Sequence, residues 1–166
     1  TGTVTSPTLA MQLGALLEEF PAAKWHQWEP AGRHHTRAGA LLAFGEYVET
    51  KYGVDQADII LAMDADPLTC NLGNLRYVRD FAQRRRPVAG DVGMNRLYAV
   101  ESTPSATGAM ADHRLPLRMN RMVQFARRVA AKIGVSAITA EEMSPSIENW
   151  IGALVRDLLQ HRGSSL

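Results

Sequence analysis

Short apolar strands that alternate with amphipathic helices predict an α/β fold for this chain. Residues 59–63 form a continuous apolar run, which is typical of a strand buried on both faces of a parallel sheet. Apolar residues at helical spacing both precede and follow this run. Because crossovers between parallel strands are right-handed, helices should cover both faces of the sheet. We therefore expect a Rossmann-like three-layer αβα arrangement with a mainly parallel sheet, in a single domain over residues 1–166.

The first helix is predicted over residues 7–19. Ser6 suits its N-cap, and Pro7 suits its first position, where a missing N–H does no harm. One apolar face recurs at helical spacing and consists of Leu9, Leu13, Leu16, Leu17 and Phe20. The aromatic stretch 23–28, which is bounded by two prolines, predicts a short strand after this helix.

A second helix is predicted over residues 37–51, and Gly53 suits its C-terminal cap. The loop before this helix is expected to contain Gly32, His34 and His35. After the strand at 59–63, a third helix is predicted over 72–85. The side chains expected to face the core from this third helix are Leu75, Val78 and Phe81.

The following loop is marked by Pro87, Gly90 and Gly93, and the third strand is predicted over 97–100. Residues 102–115 are expected to form a long polar connection. A fourth helix over 117–132 should end before Gly134, and a fifth helix should begin at Ser144-Pro145. The side chains expected to face the core from the fourth helix are Met119, Val123, Ala126, Ala130 and Ile133. The fifth is expected to carry Ile147, Ile151, Leu154, Val155 and Leu158.

Composition excludes several classes of protein. Eighteen basic and 17 acidic residues give a net charge of +1, so no global field steers the surface toward nucleic acid. No apolar run approaches the roughly 20 residues that a membrane helix needs. The one cysteine, Cys70, excludes a disulfide or an iron–sulfur cluster ligated wholly within these residues.

Acidic residues follow each predicted strand. Glu29 follows the first, Asp64 and Asp66 the second, and Glu101 the third. The carboxyl ends of parallel strands share one edge of a sheet, where ligands bind in open α/β folds. No glycine-rich phosphate-binding motif is present, so ordinary dinucleotide or P-loop binding is not expected.

Two hypotheses account for this acidic rim. Asp64, Asp66 and Glu101 could hold Mg²⁺ in a stand-alone metal-dependent transferase, since Mg²⁺ prefers carboxylate oxygens. Asp is also a common turn and cap residue at strand ends, particularly before proline, and this second interpretation is the stronger one.

The stretch from Glu101-Ser-Thr-Pro-Ser105 through Ala111-Asp112 to Leu117-Arg118 resembles a segment of the molybdopterin oxidoreductases, which follows a strand of their cofactor domain. Residues 57–61 are similar to the strand before that family's Gly-x-Asn loop. This resemblance implies dinucleotide contacts from Ser102, Ser105, Thr107 and Asp112. However, Met63-Asp64-Ala65-Asp66 replaces the Gly-x-Asn loop, and its carboxylates would repel phosphates.

A narrower resemblance covers nearly the whole chain. Ser6-Pro-Thr-Leu, Ala23-Lys-Trp-His-Gln-Trp-Glu-Pro30 and the stretch from Glu101 to Arg118 are similar to the molybdopterin-oxidoreductase-like iron–sulfur subunit of alternative complex III, a membrane quinol oxidoreductase. This resemblance implies a cofactor-free structural domain, itself non-catalytic, within an electron-transport oxidoreductase. Its clusters would lie elsewhere in the parent chain, in agreement with a lone Cys70.

The resemblance also implies a location and partners. The expected location is the periplasmic side of the bacterial inner membrane, and the expected partners are other domains of the parent chain and subunits of the membrane complex. The turn signal at 161–163 and the loop-like Thr1-Gly2 suggest a fragment truncated at both ends. Two alternatives remain: a genuine molybdopterin dinucleotide-binding domain and the Mg²⁺-dependent transferase.

Overall fold

The computed structural model describes residues 1–30, 34–70, 73–86, 93–136 and 138–166. The chain divides into two compact units, Thr1–Thr50 and Lys51–Leu166. The expectation of a single domain over 1–166 stays a prediction. None of the helices in the described ranges has the length and apolar character to cross a membrane.

The first unit contains two helices, α1 (Pro7–Glu19) and α2 (His34–Phe44). The bounds predicted for α1 are confirmed, and the Ser6 hydroxyl accepts a hydrogen bond from the Leu9 N–H at 3.4 Å, as expected of an N-cap. Neither helix contains a buried residue. Their apolar side chains therefore contribute no packed core to this unit.

The strand predicted at 23–28 is wrong. The Trp28 N–H donates to the Thr1 carbonyl, and the Thr1 ammonium donates to the His26 carbonyl, but no ladder forms. Aromatic residues favour strands when a neighbouring strand offers a continuous row of hydrogen-bonding groups, and here the pairing is limited to Thr1.

The bounds predicted for α2 are also wrong. His34 and His35 lie in its first turn and not in a loop. The helix ends at Phe44 because Gly45 adopts a left-handed φ of 78°, and the Gly45 N–H donates a hydrogen bond to the Leu41 carbonyl. Gly53 therefore does not cap it, and Gly32 lies outside the described residues.

The second unit is built on a parallel sheet of three strands in the order β1 (Ile59–Met63), β2 (Arg96–Glu101) and β3 (His113–Pro116). The segment 164–166 pairs with the free side of β1 through a parallel bridge between Ile59 and Ser165. β1 therefore has hydrogen-bonded neighbours along both of its edges.

Helices cover both faces of this sheet, which confirms the predicted α/β fold with three layers. The helices of this unit are α3 (Asn74–Gln83), α4 (Ala106–Ala109), α5 (Met119–Lys132) and α6 (Pro145–Gln160). On one face, Tyr77 and Phe81 of α3 pack with Ile60, Ala62 and Leu97. On the other, α5 and α6 pack against the sheet around Phe125, Ile151, Leu154, Tyr98 and Val100.

The polar connection predicted over 102–115 is wrong, because it contains α4 and begins β3. β3 is a four-residue strand of sequence His-Arg-Leu-Pro. It lacks an apolar run and becomes a strand only through its pairing with β2. No local pattern marks such a strand.

Two predicted helix faces also need correction. On α3, Tyr77 and Phe81 are buried, whereas Leu75 and Val78 are exposed. On α5, the buried residues are Phe125 and Val129, and Met119 and Val123 are exposed, whereas Ile133 packs against the core as predicted. In both helices the aromatic face packs inward, because it buries more apolar surface. Leu72, where α3 was predicted to begin, and the loop residues Pro87 and Gly90 lie outside the described residues. The inward face predicted for α6 is confirmed.

Candidate functional site

The carboxyl edge of the sheet brings together the acidic residues that follow β1 and β2. Asp64 directly follows β1, and its N–H donates to the Val100 carbonyl of β2 at 2.7 Å. Asp66 lies two residues further on, and Glu101 is the last residue of β2. Glu29 was predicted to follow a strand that does not form. It belongs to the first unit, where its carboxylate accepts hydrogen bonds from Thr3.

Glu101 is a buried carboxylate with three donors. It is 4% exposed and accepts hydrogen bonds from the Ser105 N–H at 3.2 Å, the Ser105 hydroxyl at 2.6 Å and the Arg114 guanidinium. Burial raises the pKa of Glu101, but the hydrogen bonds from Ser105 and the charge of Arg114 outweigh it and hold that pKa below its ordinary value. The carboxylate therefore stays charged at neutral pH.

The short helix α4 sits directly on this carboxylate. Its N-cap, Ser105, accepts a hydrogen bond from the Gly108 N–H at 3.0 Å. A Cβ atom at Gly108 would lie less than 3.0 Å from all three atoms of the Glu101 carboxyl group. Only glycine lets the helix approach so closely, so Glu101 and Gly108 form one packing unit.

Asp66 and Thr107 make the second polar contact at this edge. Thr107 is fully buried and donates to Asp66 from its hydroxyl at 2.5 Å and from its N–H at 3.1 Å. The same hydroxyl accepts from the Leu68 N–H at 3.3 Å. Burial raises the pKa of Asp66, but the hydrogen bonds from Thr107 and Thr69 outweigh it and lower that pKa overall. Asp66 thus joins the end of β1 to α4 as a charged acceptor.

Asp64 and Ser102 form the third contact. Asp64 has a left-handed φ of 46°, a conformation that costs a residue with a side chain some strain. Its carboxylate accepts from the Ser102 N–H at 3.0 Å and from the Ser102 hydroxyl at 2.8 Å. These bonds hold the strained turn at the end of β1 against the loop after β2.

Asp112 does not belong to this edge. It directly precedes β3, at the amino edge of the sheet, and accepts from the Leu97 N–H at 2.8 Å and from the Arg85 guanidinium. Burial raises its pKa, but the hydrogen bonds from Arg85 and Leu97 lower that pKa overall. Of the four residues implied as dinucleotide contacts, Ser102, Ser105 and Thr107 lie together and Asp112 lies apart.

Sequence reasoning missed Arg114 and Gly108. The pairing of Arg114 with Glu101 was predictable, because a glutamate buried at a strand end needs a nearby cation and Arg114 lies on the next strand. No signal marked Gly108, since its role depends on the close approach of α4 to Glu101.

The chemistry open to this edge is limited by how its groups are used. The hydroxyls of Ser102, Ser105 and Thr107 each donate to a carboxylate. In the part of the chain that the structure describes, none of these hydroxyls is hydrogen-bonded to a histidine or lysine that could activate it as a nucleophile. Within the described ranges, no set of three or more His, Cys, Asp or Glu residues is arranged to hold a metal ion. A cavity of about 150 Å³ between β1 and α3 is lined mainly by apolar side chains, including Ala62, Leu68 and Phe81.

The chain matches no known protein-family model and no curated protein. The resemblance to the molybdopterin oxidoreductases therefore stays a prediction.

Proposed function

We propose that this chain is a structural, cofactor-free domain of a molybdopterin-oxidoreductase-like iron–sulfur subunit in a membrane quinol oxidoreductase. One observation carries the proposal. At the edge where the resemblance would place the pterin dinucleotide, hydrogen-bonded carboxylates occupy the turns, and the hydroxyl groups are directed to those carboxylates.

The charge of this edge opposes a phosphate-containing cofactor. Asp66 and Glu101 have lowered pKa values and are ionised at neutral pH. A phosphate oxygen brought to about 4 Å from either carboxylate would be repelled by about 4 kcal/mol at an effective dielectric constant of about 20. Phosphate sites instead use backbone N–H groups and cations.

The hydroxyl groups add a second cost. To contact a dinucleotide, Ser102, Ser105 and Thr107 would have to give up donors that now satisfy carboxylates. Hydrogen bonds to charged groups contribute about 1.5–3 kcal/mol each, and a buried carboxylate left without donors costs more. Thr107 and Glu101 are the most deeply buried of these groups, so their bonds would be the most costly to break.

In this proposal the domain supports electron transfer without taking part in a chemical step. Its partners are other domains of the parent chain and subunits of the membrane complex, on the periplasmic side of the bacterial inner membrane. Iron–sulfur clusters would be bound by cysteines elsewhere in the parent chain.

The test is elemental and pterin analysis of the protein that carries this chain, purified within its complex from its own host. We expect iron, with neither molybdenum, tungsten nor pterin. Pterin is measured as its fluorescent oxidation product. A molybdenum enzyme purified in parallel from the same host controls for loss of cofactor. Metal and pterin near one per chain would overturn the proposal and assign the edge to cofactor binding.

A further inference from the structure

Helix α5 carries two apolar stripes, and only one of them is used within the second unit. The first, which contains Phe125 and Val129, packs into the core. The second consists of Met119, Val123, Ala126 and Ala130, at alternating spacings of four, three and four residues. This is the spacing of a coiled-coil seam. Met119 is 65% exposed and Val123 is 64% exposed, and the two alanines are half-buried.

The neighbouring helix lies against a different side of α5. Arg128 donates to Glu148 of α6 at 2.8 and 3.1 Å, and Lys132 pairs with the same carboxylate at 3.0 Å. Arg128 and Lys132 therefore lie on the side of α5 that faces α6, and the second stripe lies on the opposite side of the helix. Among the described residues of this unit, none covers Met119 or Val123 enough to bury it.

The charges of α5 define what could cover this stripe. The helix contains no acidic residue. Arg127 is exposed and forms no ion pair with the described residues. Arg127 lies four residues after Val123 and one after Ala126, at a position that flanks the seam on its solvent side. In paired helices, a charge at this position selects a partner with the opposite charge.

We propose that the stripe of Met119, Val123, Ala126 and Ala130 is the docking surface for an acidic amphipathic helix of another polypeptide. The partner's apolar residues, spaced three and four apart, pack along the stripe, and its carboxylate pairs with Arg127. A second copy of α5 would bring arginine against a helix without carboxylates, which disfavours self-association. The proposal does not depend on the proposed function.

The test places a photo-reactive amino acid at position 123 of the intact protein, produced in its own host. A matched control places it at position 75, because Leu75 is 83% exposed on α3, on the other face of the sheet. We expect cross-linking from position 123 only. Mass spectrometry of the cross-linked peptide should identify a segment of another polypeptide with apolar residues three and four apart, flanked by Asp or Glu.

Charge variants sharpen the test. Arg127→Glu should lower the cross-linking yield roughly tenfold, since it sets like charges against each other. Arg127→Lys should retain most of the yield. Arg156→Glu reverses an exposed arginine on α6 and should have no effect. Because these side chains are exposed, the thermal unfolding midpoint should be unchanged in all three.

Several results would overturn the proposal: cross-linking to a second copy, to another part of the same polypeptide, to a non-acidic segment or to no peptide, or equal yields from positions 75 and 123. Insensitivity of the yield to Arg127→Glu would also overturn it.

Discussion

Replacing Gly108 with alanine should destabilise the second unit through the carboxylate of Glu101. The added Cβ would overlap that carboxyl group, which cannot retreat because Ser105 and Arg114 hold it. Overpacking costs about 1–3 kcal/mol, and weakening one hydrogen bond to a buried charge adds about 1.5–3 kcal/mol. We expect a loss of about 3 kcal/mol in the free energy of unfolding, which lowers the midpoint by roughly 6–12 °C.

Gly152→Ala is the matched control. Gly152 lies within α6, and a Cβ atom there meets nothing within 4 Å. Alanine favours a helix over glycine by about 0.5–1 kcal/mol, so this variant should be unchanged or more stable. Both variants are measured by thermal and urea unfolding, followed by circular dichroism.

A double-mutant cycle with Glu101→Ala tests the cause. Once the carboxyl group is removed, Gly108→Ala should cost much less than it does in the unaltered protein. The reasoning fails if Gly108→Ala behaves like Gly152→Ala, or if its cost is the same with and without the Glu101 side chain.

Three further outcomes are expected. Hydrogen bonds from Arg128 lower the pKa of Glu148 to about 2 from 4.5, so the ionised Glu148 stabilises the fold fully above about pH 4.5 and loses this effect as the pH falls toward 2. Glu148→Gln should therefore flatten the dependence of the unfolding free energy on pH over that range. Glu142→Gln, which changes a carboxylate that is 85% exposed, should not. Thr107→Val should cost about 1–3 kcal/mol in urea unfolding by removing the hydroxyl that donates to Asp66 and accepts from the Leu68 N–H, whereas Thr107→Ser should cost less; equal costs would contradict the role of the hydroxyl. Millimolar Mg²⁺ should not raise the unfolding midpoint, and a rise that is lost in an Asp66→Asn variant would instead support the magnesium transferase.

The elements with strong local signals could be predicted from the sequence. The bounds of α1 follow from Ser6 and Pro7, and β1 follows from an apolar run. β3 could not be predicted, because its four residues form a strand only beside β2. The inward face of α5 was ambiguous for another reason: the helix has two apolar stripes, and spacing alone does not decide which one meets the sheet.

The candidate site was predictable only in part. Parallel strands place Asp66 and Glu101 at one edge, and that much follows from the position of each residue after its strand. The partners of these carboxylates do not follow, because Thr107 lies 41 residues from Asp66 in sequence. Asp112 was grouped with them by resemblance alone, and the pairing of β3 with β2 carries it to the opposite edge of the sheet.

The pairing of 164–166 with β1 has a consequence for the order of folding. β1 can pair with β2 soon after both strands leave the ribosome, but the partner on its other side is synthesised only after α5 and α6. Pairing between residues so distant in sequence is slow. During that interval one side of an apolar strand remains open to other chains, as edge strands are in aggregation. Residues 164–166 therefore pair late and close the remaining open edge of an apolar strand.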